Sequence, residues 1–172
     1  MADRLTRLES GYAIKSFDCE DPDLNDFLHN NASKSLDSLL SVTYLIESDT
    51  ECIAFFSILN DKIVAQDFDD DKKFGKFKKK LPHDKRYRSY PAVKIGRLGV
   101  TKNIQNKGTG RQIIEFLIQM FISNNRTGCR YITVDAYRQS LGFYEKMGFV
   151  FFGDKDKHLD TRAMYLDLLP YR

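Results

Sequence analysis

A chain of 172 residues, 42% of them hydrophobic and 13% aromatic, is long and apolar enough for one folded domain, which excludes a disordered polymer. Its formal net charge of +3 is too small to argue for nucleic-acid binding, so the distribution of charge carries more weight than its sum. Cys19, Cys52 and Cys129 share no metal-ligand spacing and leave an odd thiol, and His29, His83 and His158 are scattered; neither a disulfide framework nor a metal site is expected. No apolar run approaches the roughly eighteen residues of a membrane span, and residues 1–9 lack the apolar centre of a signal peptide, so a cytoplasmic protein without membrane contact is expected.

In chain order, residues 12–17 (Tyr-Ala-Ile-Lys-Ser-Phe) read as a short strand. Asp21 can cap a helix that carries Pro22 at its first position. Leu24, Phe27, Leu28 and Ala32 then share one apolar face, which Leu36, Leu39 and Leu40 extend. Residues 42–47 and 52–59 read as two strands joined at Ser48-Asp49-Thr50, with the mixed period expected when helices cover both faces of a sheet. Asn60-Asp61 is expected to end this hairpin.

Composition changes sharply beyond it. Residues 67–71 form an acidic block, and residues 72–97 hold eleven Lys or Arg against the single acid Asp84. Phe74, Phe77, Tyr87 and Tyr90 are interleaved with the basic residues. Such a mixture suits a phosphate backbone with unstacked bases, and it suits equally a solvated loop whose charges pair with the acidic block. Composition alone favours the loop. The segment of about 67–90 is taken as a charged insertion in a single domain spanning 1–172.

Residues 92–100 (Ala-Val-Lys-Ile-Gly-Arg-Leu-Gly-Val) read as a strand. A helix follows in which Ile113, Leu117 and Met120 fall at helical spacing, broadened by Ile114, Phe116 and Phe121. Between them lies Gln105-Asn106-Lys107-Gly108-Thr109-Gly110. A strand, a glycine-containing loop and a helix start aim backbone N–H groups and the positive helix end at one point, which makes an anion site. A Walker loop needs a Gly-Lys-Ser/Thr string that is absent. A Rossmann turn needs a third glycine where Ile113 stands. The C-terminal part reads as a strand at 131–136, a short helix at 140–147 stopped by Gly148, and closing strands at 149–152 and 164–168.

Gln-x-x-Gly-x-Gly after a strand ending Arg97-Leu98-Gly99-Val100 resembles the acyl-CoA pyrophosphate loop of the GNAT (Gcn5-related) N-acetyltransferase superfamily. Downstream, Gly142-Phe143-Tyr144-Glu145-Lys146-Met147-Gly148-Phe149 resembles that superfamily's Phe-Tyr-Glu-Lys-x-Gly-Phe string. Residues 17–28 and 81–100 are similar, more thinly, to the branch of GNAT toxins that acetylate aminoacyl-tRNA. The resemblance implies an α/β fold with a mixed, V-splayed sheet of six to seven strands and helices on both faces. It implies acetyl-CoA as co-substrate, its pantetheine paired with Leu98 and Val100 and its pyrophosphate on the segment Gln105, Asn106, Lys107, Gly108, Thr109, Gly110 and Arg111. Gly99 is consistent with a bulge that frees that strand for pairing, or with a packing requirement.

The chemistry implied is attack by a neutral amine on a thioester, with Tyr144 giving a proton to the leaving thiolate. Tyr137 stands where many relatives carry an asparagine, which removes or replaces one cofactor hydrogen bond. No strong general base is evident; Asp135 is a weak candidate that suits a turn cap better. A lysine amine, with a pKa of about 10.4, needs a base, whereas an α-amine near 7.7–8.0 is already substantially neutral. The toxin-branch resemblance implies aminoacyl-tRNA as acceptor and suggests a small DNA-binding antitoxin as partner; the basic stretch makes Lys78, Lys79 and Lys80 the candidate substrate-binding residues, joined by Arg97 from its place beside Leu98, and a homodimer is a further candidate assembly. A protein or small-molecule amine acceptor, and a catalytically silent CoA-binding regulatory module, stand as alternatives.

Overall fold

The computed structural model describes residues 3–82, 87–123 and 127–172; His83 and Asp84 lie outside them. Its seven strands hydrogen-bond in the order β1-β2-β3-β4-β5-β7-β6. They are β1 (Arg4–Arg7), β2 (Val42–Glu47), β3 (Cys52–Val64), β4 (Ser89–Val100), β5 (Tyr131–Tyr137), β6 (Val150–Phe151) and β7 (Thr161–Asp167). The helices are α1 (Pro22–Asp26), α2 (Ala32–Asp37), α3 (Asp71–Lys78), α4 (Thr109–Ser123) and α5 (Leu141–Lys146). The chain divides into two compact units, Met1–Leu59 with Ile95–Leu117, and Asn60–Lys94 with Ile118–Arg172.

In the first unit β1, β2 and β3 run antiparallel, with Arg4 opposite Glu47 and Val42 opposite Ile58. The edge strand β1 has no counterpart among the strands expected from the sequence. The strand expected at 12–17 is instead irregular chain, tied to the sheet by a bridge from Ser16 to Glu51. The Asp21 carboxylate accepts from the N–H groups of Asp23 and Leu24, with Pro22 opening α1 as expected. A π-turn at Phe27–Asn31 then joins α1 to α2. Leu28 and Ala32 are fully buried and Leu36 is half-buried, but the apolar face stops there: Leu39, with φ 58°, and Leu40 are exposed beyond the end of α2.

The mixed period of β3 has the expected cause. On one face the Phe55 ring meets Phe17 at 5.2 Å and Phe27 at 6.2 Å. On the other, Phe56 stacks on Tyr44 at 5.1 Å and meets Phe116 of α4 at 6.0 Å. A strand covered on both sides cannot alternate apolar with polar. The same crowding explains Gly99. A Cβ there would lie 2.7 Å from the Phe55 ring and 3.1 Å from that of Phe17, so packing demands the glycine.

The second unit corrects the reading of the charged segment. β3 does not end at Asn60-Asp61 but continues to Val64. Asp61 accepts a hydrogen bond from the Thr133 hydroxyl of β5. Residues 71–78 form helix α3, and Phe74, Phe77 and Tyr90 are buried with Phe68, Tyr131 and Phe152. These aromatics are core, unavailable for stacking bases; Tyr87 alone of the four is exposed, at 56%. The acidic block is architectural. Asp70 caps α3 at the Lys73 N–H, and Asp67 accepts from the Val64 N–H. Asp69 bonds the N–H groups of Asp154 and Lys155 and pairs with Lys73. Lys73 first, then those two N–H groups, pull the Asp69 carboxyl down to about 2.

β5 and β7 pair antiparallel from Tyr131 opposite Asp167 to Tyr137 opposite Thr161. Contacts between β4 and β5 ascend together, Pro91 with Arg130, Val93 with Thr133 and Lys94 with Asp135, so these two strands are parallel. The sheet is therefore mixed, as the fold-family resemblance requires.

Candidate active site

The glycine loop hangs on a brace that the sequence did not disclose. After β4 the chain turns at Thr101, whose N–H donates to the Ile53 carbonyl at 2.8 Å. The Asp18 carbonyl then accepts from the Lys102 N–H and from the Thr101 hydroxyl, while the Asp18 carboxylate pairs with the Lys102 ammonium at 2.9 Å. That pair, with hydrogen bonds from the Glu20 N–H and the Asn25 amide, holds the Asp18 carboxyl well below the usual carboxylate range. Asp18 and Lys102 stand 84 residues apart in sequence, and no local pattern links them.

Gln105 completes the brace. Its side-chain amide donates to the carbonyls of Cys19 and Val100, each at 3.1 Å. It therefore shapes the loop rather than reaching outward. Asn106 and Gly108 adopt positive φ, 62° and 93°, a region Asn tolerates and Gly favours. A Cβ on Gly108 would meet nothing within 4 Å, so backbone conformation, not crowding, demands this glycine.

The first i to i−4 bond of α4 runs from the Gln112 N–H to the Gly108 carbonyl. Among the described residues, the N–H groups of Gly108, Thr109, Gly110 and Arg111 find no acceptor. Four open donors at the start of a fifteen-residue helix fit an anion such as a pyrophosphate. Lys107 folds back on the Asn103 carbonyl, and Arg111 pairs with Glu115 on the exposed helix surface. Leu98 and Val100 are half-buried at the end of β4, and the Val100 carbonyl is already taken by Gln105. Arg97 is exposed, its guanidinium 5.2 Å above the Phe27 ring and bonded to the Gly96 carbonyl. It forms no strand-edge ion pair with a described residue. All these residues belong to the first unit.

Tyr144 belongs to the second unit, on α5. The string that surrounds it has a plain physical reading. Gly148, at φ 88°, ends the helix; its N–H bonds the Glu145 carbonyl, and the Phe149 N–H reaches back to the Tyr144 carbonyl. These two bonds make a Schellman cap, and the apolar contact such a cap favours is Phe149 against the Tyr144 ring, at 5.2 Å. The Phe143 ring lies on the other side, at 5.0 Å. Tyr144 is 6% exposed, and burial raises its hydroxyl pKa well above the ordinary tyrosine value. The hydroxyl makes no hydrogen bond to a described residue, yet it is not among the fully enclosed unpartnered oxygens. It is a neutral acid.

Asp135 is not a turn cap; it pairs with Lys94 at 2.5 Å. Tyr137 is 39% exposed. Lys78 lies over the Phe74 ring at 5.0 Å, whereas Lys79 and Lys80 are exposed. No cluster of metal-ligating side chains occurs among the described residues, and no helix there is long and apolar enough to cross a membrane.

The mixed seven-stranded sheet with its helices fits the fold of an acyl-CoA-dependent acyltransferase. Residues 48–163 match the family model described as an acetyltransferase (GNAT) domain. The chain belongs to the GNAT acetyltransferase family, and it is an N-acetyltransferase that uses acetyl-CoA. No curated protein sequence matches the chain. Among solved structures it is similar to a mutant of KacT at 19% identity, covering 95% of each chain with a TM-score of 0.74. It is similar to AtaTR bound with AcCoA at 18% identity, covering 97% of this chain and 94% of that one, TM-score 0.75. AtaT complexed with acetyl-methionyl-tRNAfMet is 17% identical, with coverage of 98% and 97% and a TM-score of 0.71. Identities this low establish the shared fold.

Proposed function

We propose that this acetyltransferase modifies the α-amino group of an aminoacyl-tRNA, as the toxin of a toxin–antitoxin pair. The observation that carries the acceptor class is the surface left by α3. With Phe74 and Phe77 buried, Lys72, Lys76 and Lys79 stand on the outer side and form no ion pair with a described residue. Lys78 and Lys80 flank them, Lys80 within electrostatic reach of Asp167. A row of unneutralised ammonium groups is what a phosphate backbone attracts. The likeness to AtaT in complex with acetyl-methionyl-tRNAfMet, and to AtaT bound to the C-terminus of the antitoxin AtaR, supports the same reading. The likeness to the AtaT-AtaR complex bound to DNA makes a DNA-binding antitoxin the expected partner.

In this reading the N–H groups from Gly108 to Arg111, with Asn106 and Lys107 beside them, hold the pyrophosphate, and Leu98 and Val100 align the pantetheine. Arg97 orients the acceptor. The neutral α-amine attacks the thioester carbonyl, and the tetrahedral oxyanion is stabilised by an N–H donor near Val100. Collapse breaks the C–S bond; Tyr144 gives its proton to the departing thiolate, the acetylated nitrogen releases its extra proton to water, and the phenolate is reprotonated from water. The pairing of Asp135 with Lys94 leaves that carboxylate unsuited to act as a base, which favours an amine that is already neutral near pH 7. The test is a competition. The protein is incubated with labelled acetyl-CoA, charged tRNA, uncharged tRNA, bulk protein and small amines together. Label in the charged tRNA alone supports the proposal; label in protein or small amines replaces the acceptor, and no thiol release replaces the enzyme with a silent CoA-binding module.

A further inference from the structure

Helix α5 has only six residues, too few to hold itself in place, and its N-cap residue Ser140 makes no side-chain capping bond. Its C-terminal end is fixed by the Schellman cap described above. Its N-terminal end is fixed by Arg138, the first residue of the 3-10 turn that leads into it. The Arg138 guanidinium donates from Nε to the Leu159 carbonyl at 2.9 Å and from Nη2 to the Lys157 carbonyl. The Arg138 backbone N–H donates to the Asp160 carbonyl at 3.3 Å. Three donors of one residue thus grip three carbonyls of the β6–β7 loop.

That loop is a firm platform. The Asp69 carboxylate collects the N–H groups of Asp154 and Lys155 and sits so close to Gly153 that a Cβ there would lie 2.1 Å from it. The buried Arg162 bonds Asp156 at 2.8 Å and the Gly153 carbonyl at 2.6 Å. The Ala163 N–H holds the other Asp156 oxygen, and the Lys157 and Leu159 N–H groups bond back within the loop.

We infer that Arg138 is a positioning residue for the transfer reaction: by clamping the entry of α5 to the β6–β7 loop it sets where the Tyr144 hydroxyl stands. This rests on the proposed acid role of Tyr144, and the experiment separates the two. Turnover is followed by thiol release with whichever acceptor pool takes label, for the intact protein, Arg138→Gln, Tyr144→Phe and the double variant. Arg138→Gln keeps a single donor nitrogen on a shorter side chain and cannot reproduce the Nε and Nη2 bonds to two carbonyls; Arg138→Lys serves as a second variant with charge retained. Either is expected to lower kcat about tenfold, the sensitivity of a proton donor to small displacements, with KM for acetyl-CoA changed less than about twofold. In the Tyr144→Phe background the same substitution is expected to have almost no further effect, because the group it positions is gone. A purely structural role lowers turnover equally in both backgrounds, and that result overturns the inference, as does an unchanged kcat in both Arg138 variants. If Tyr144→Phe alone retains full turnover, the acid role fails instead.

Discussion

Gly108→Val tests the anion loop, and the structure sets the size of its effect. At φ 93° a side chain forces backbone into a region that L residues disfavour, at about 1–2 kcal/mol and more for a β-branched residue. A Cβ there meets nothing within 4 Å, so crowding at the first added atom does not oppose folding. Against a total stability of about 5–15 kcal/mol the variant should still fold. Relaxing that strain turns the open N–H groups of Gly108 to Arg111 away from their common focus. Losing one well-aligned charge-assisted bond, about 1.5–3 kcal/mol, lowers affinity for acetyl-CoA tenfold or more. Gly110→Val should act in the same direction. Gly75→Ala is the control: it has open space around it and ordinary φ, lies within α3, and should stabilise the helix by about 0.5–1 kcal/mol without touching acetyl-CoA affinity. Calorimetric titration against a thermal melt separates the quantities. A folded Gly108→Val protein that binds acetyl-CoA with unchanged affinity would refute the loop assignment.

Tyr144→Phe should lower kcat roughly 10²–10⁴-fold with little change in acetyl-CoA affinity or stability, since the hydroxyl has no partner among the described residues to lose. Because burial raises its pKa, the intact enzyme should show no loss of kcat from tyrosine ionisation below about pH 10, as a pH–rate profile would show. Replacing Lys78, Lys79 and Lys80 with glutamine should flatten the log–log salt dependence of tRNA binding by about 0.7–0.9 for each phosphate no longer neutralised, leaving acetyl-CoA binding alone; Lys72, Lys76 and Lys79 together should act at least as strongly. Asp69 has a depressed carboxyl, at about 2 when folded against 3.8 as its ordinary value, so its contribution to stability is full above about pH 4 and is lost as pH falls toward 2. In acid titration Asp69→Asn should remove that part of the pH dependence, and an unchanged profile would show that the latch on residues 154–155 contributes nothing.

The candidate site was legible in the sequence where its structure depends on local conformation. Gly108 and Gly148 are both held at positive φ, one opening α4 and one closing α5, and each left a glycine that sequence spacing can find. Asp21 and Pro22 marked α1 for the same reason. What escaped depends on contacts between distant segments. The Asp18–Lys102 pair, the two bonds of Gln105 and the Arg138 clamp join carbonyls or charges with no periodic signature. Phe74 and Phe77 misled because a short amphipathic helix with a lysine-rich outer face has the composition of a nucleic-acid loop. Their burial assigns the aromatics to the core and leaves the lysines outside. Arg4–Arg7 is too brief a pattern to mark an edge strand, and its partner β2 supplies the order.

The most direct test of the account is the chemical position of the transferred acetyl group. Charged tRNA treated with the protein and acetyl-CoA is hydrolysed at the ester linkage, and the released amino acids are measured by mass spectrometry beside a Tyr144→Phe reaction. The account predicts N-acetyl amino acids from the intact enzyme and at least about a hundredfold less from the variant in the same time. Free amino acids only, with the label on protein lysines or left on CoA, would contradict it.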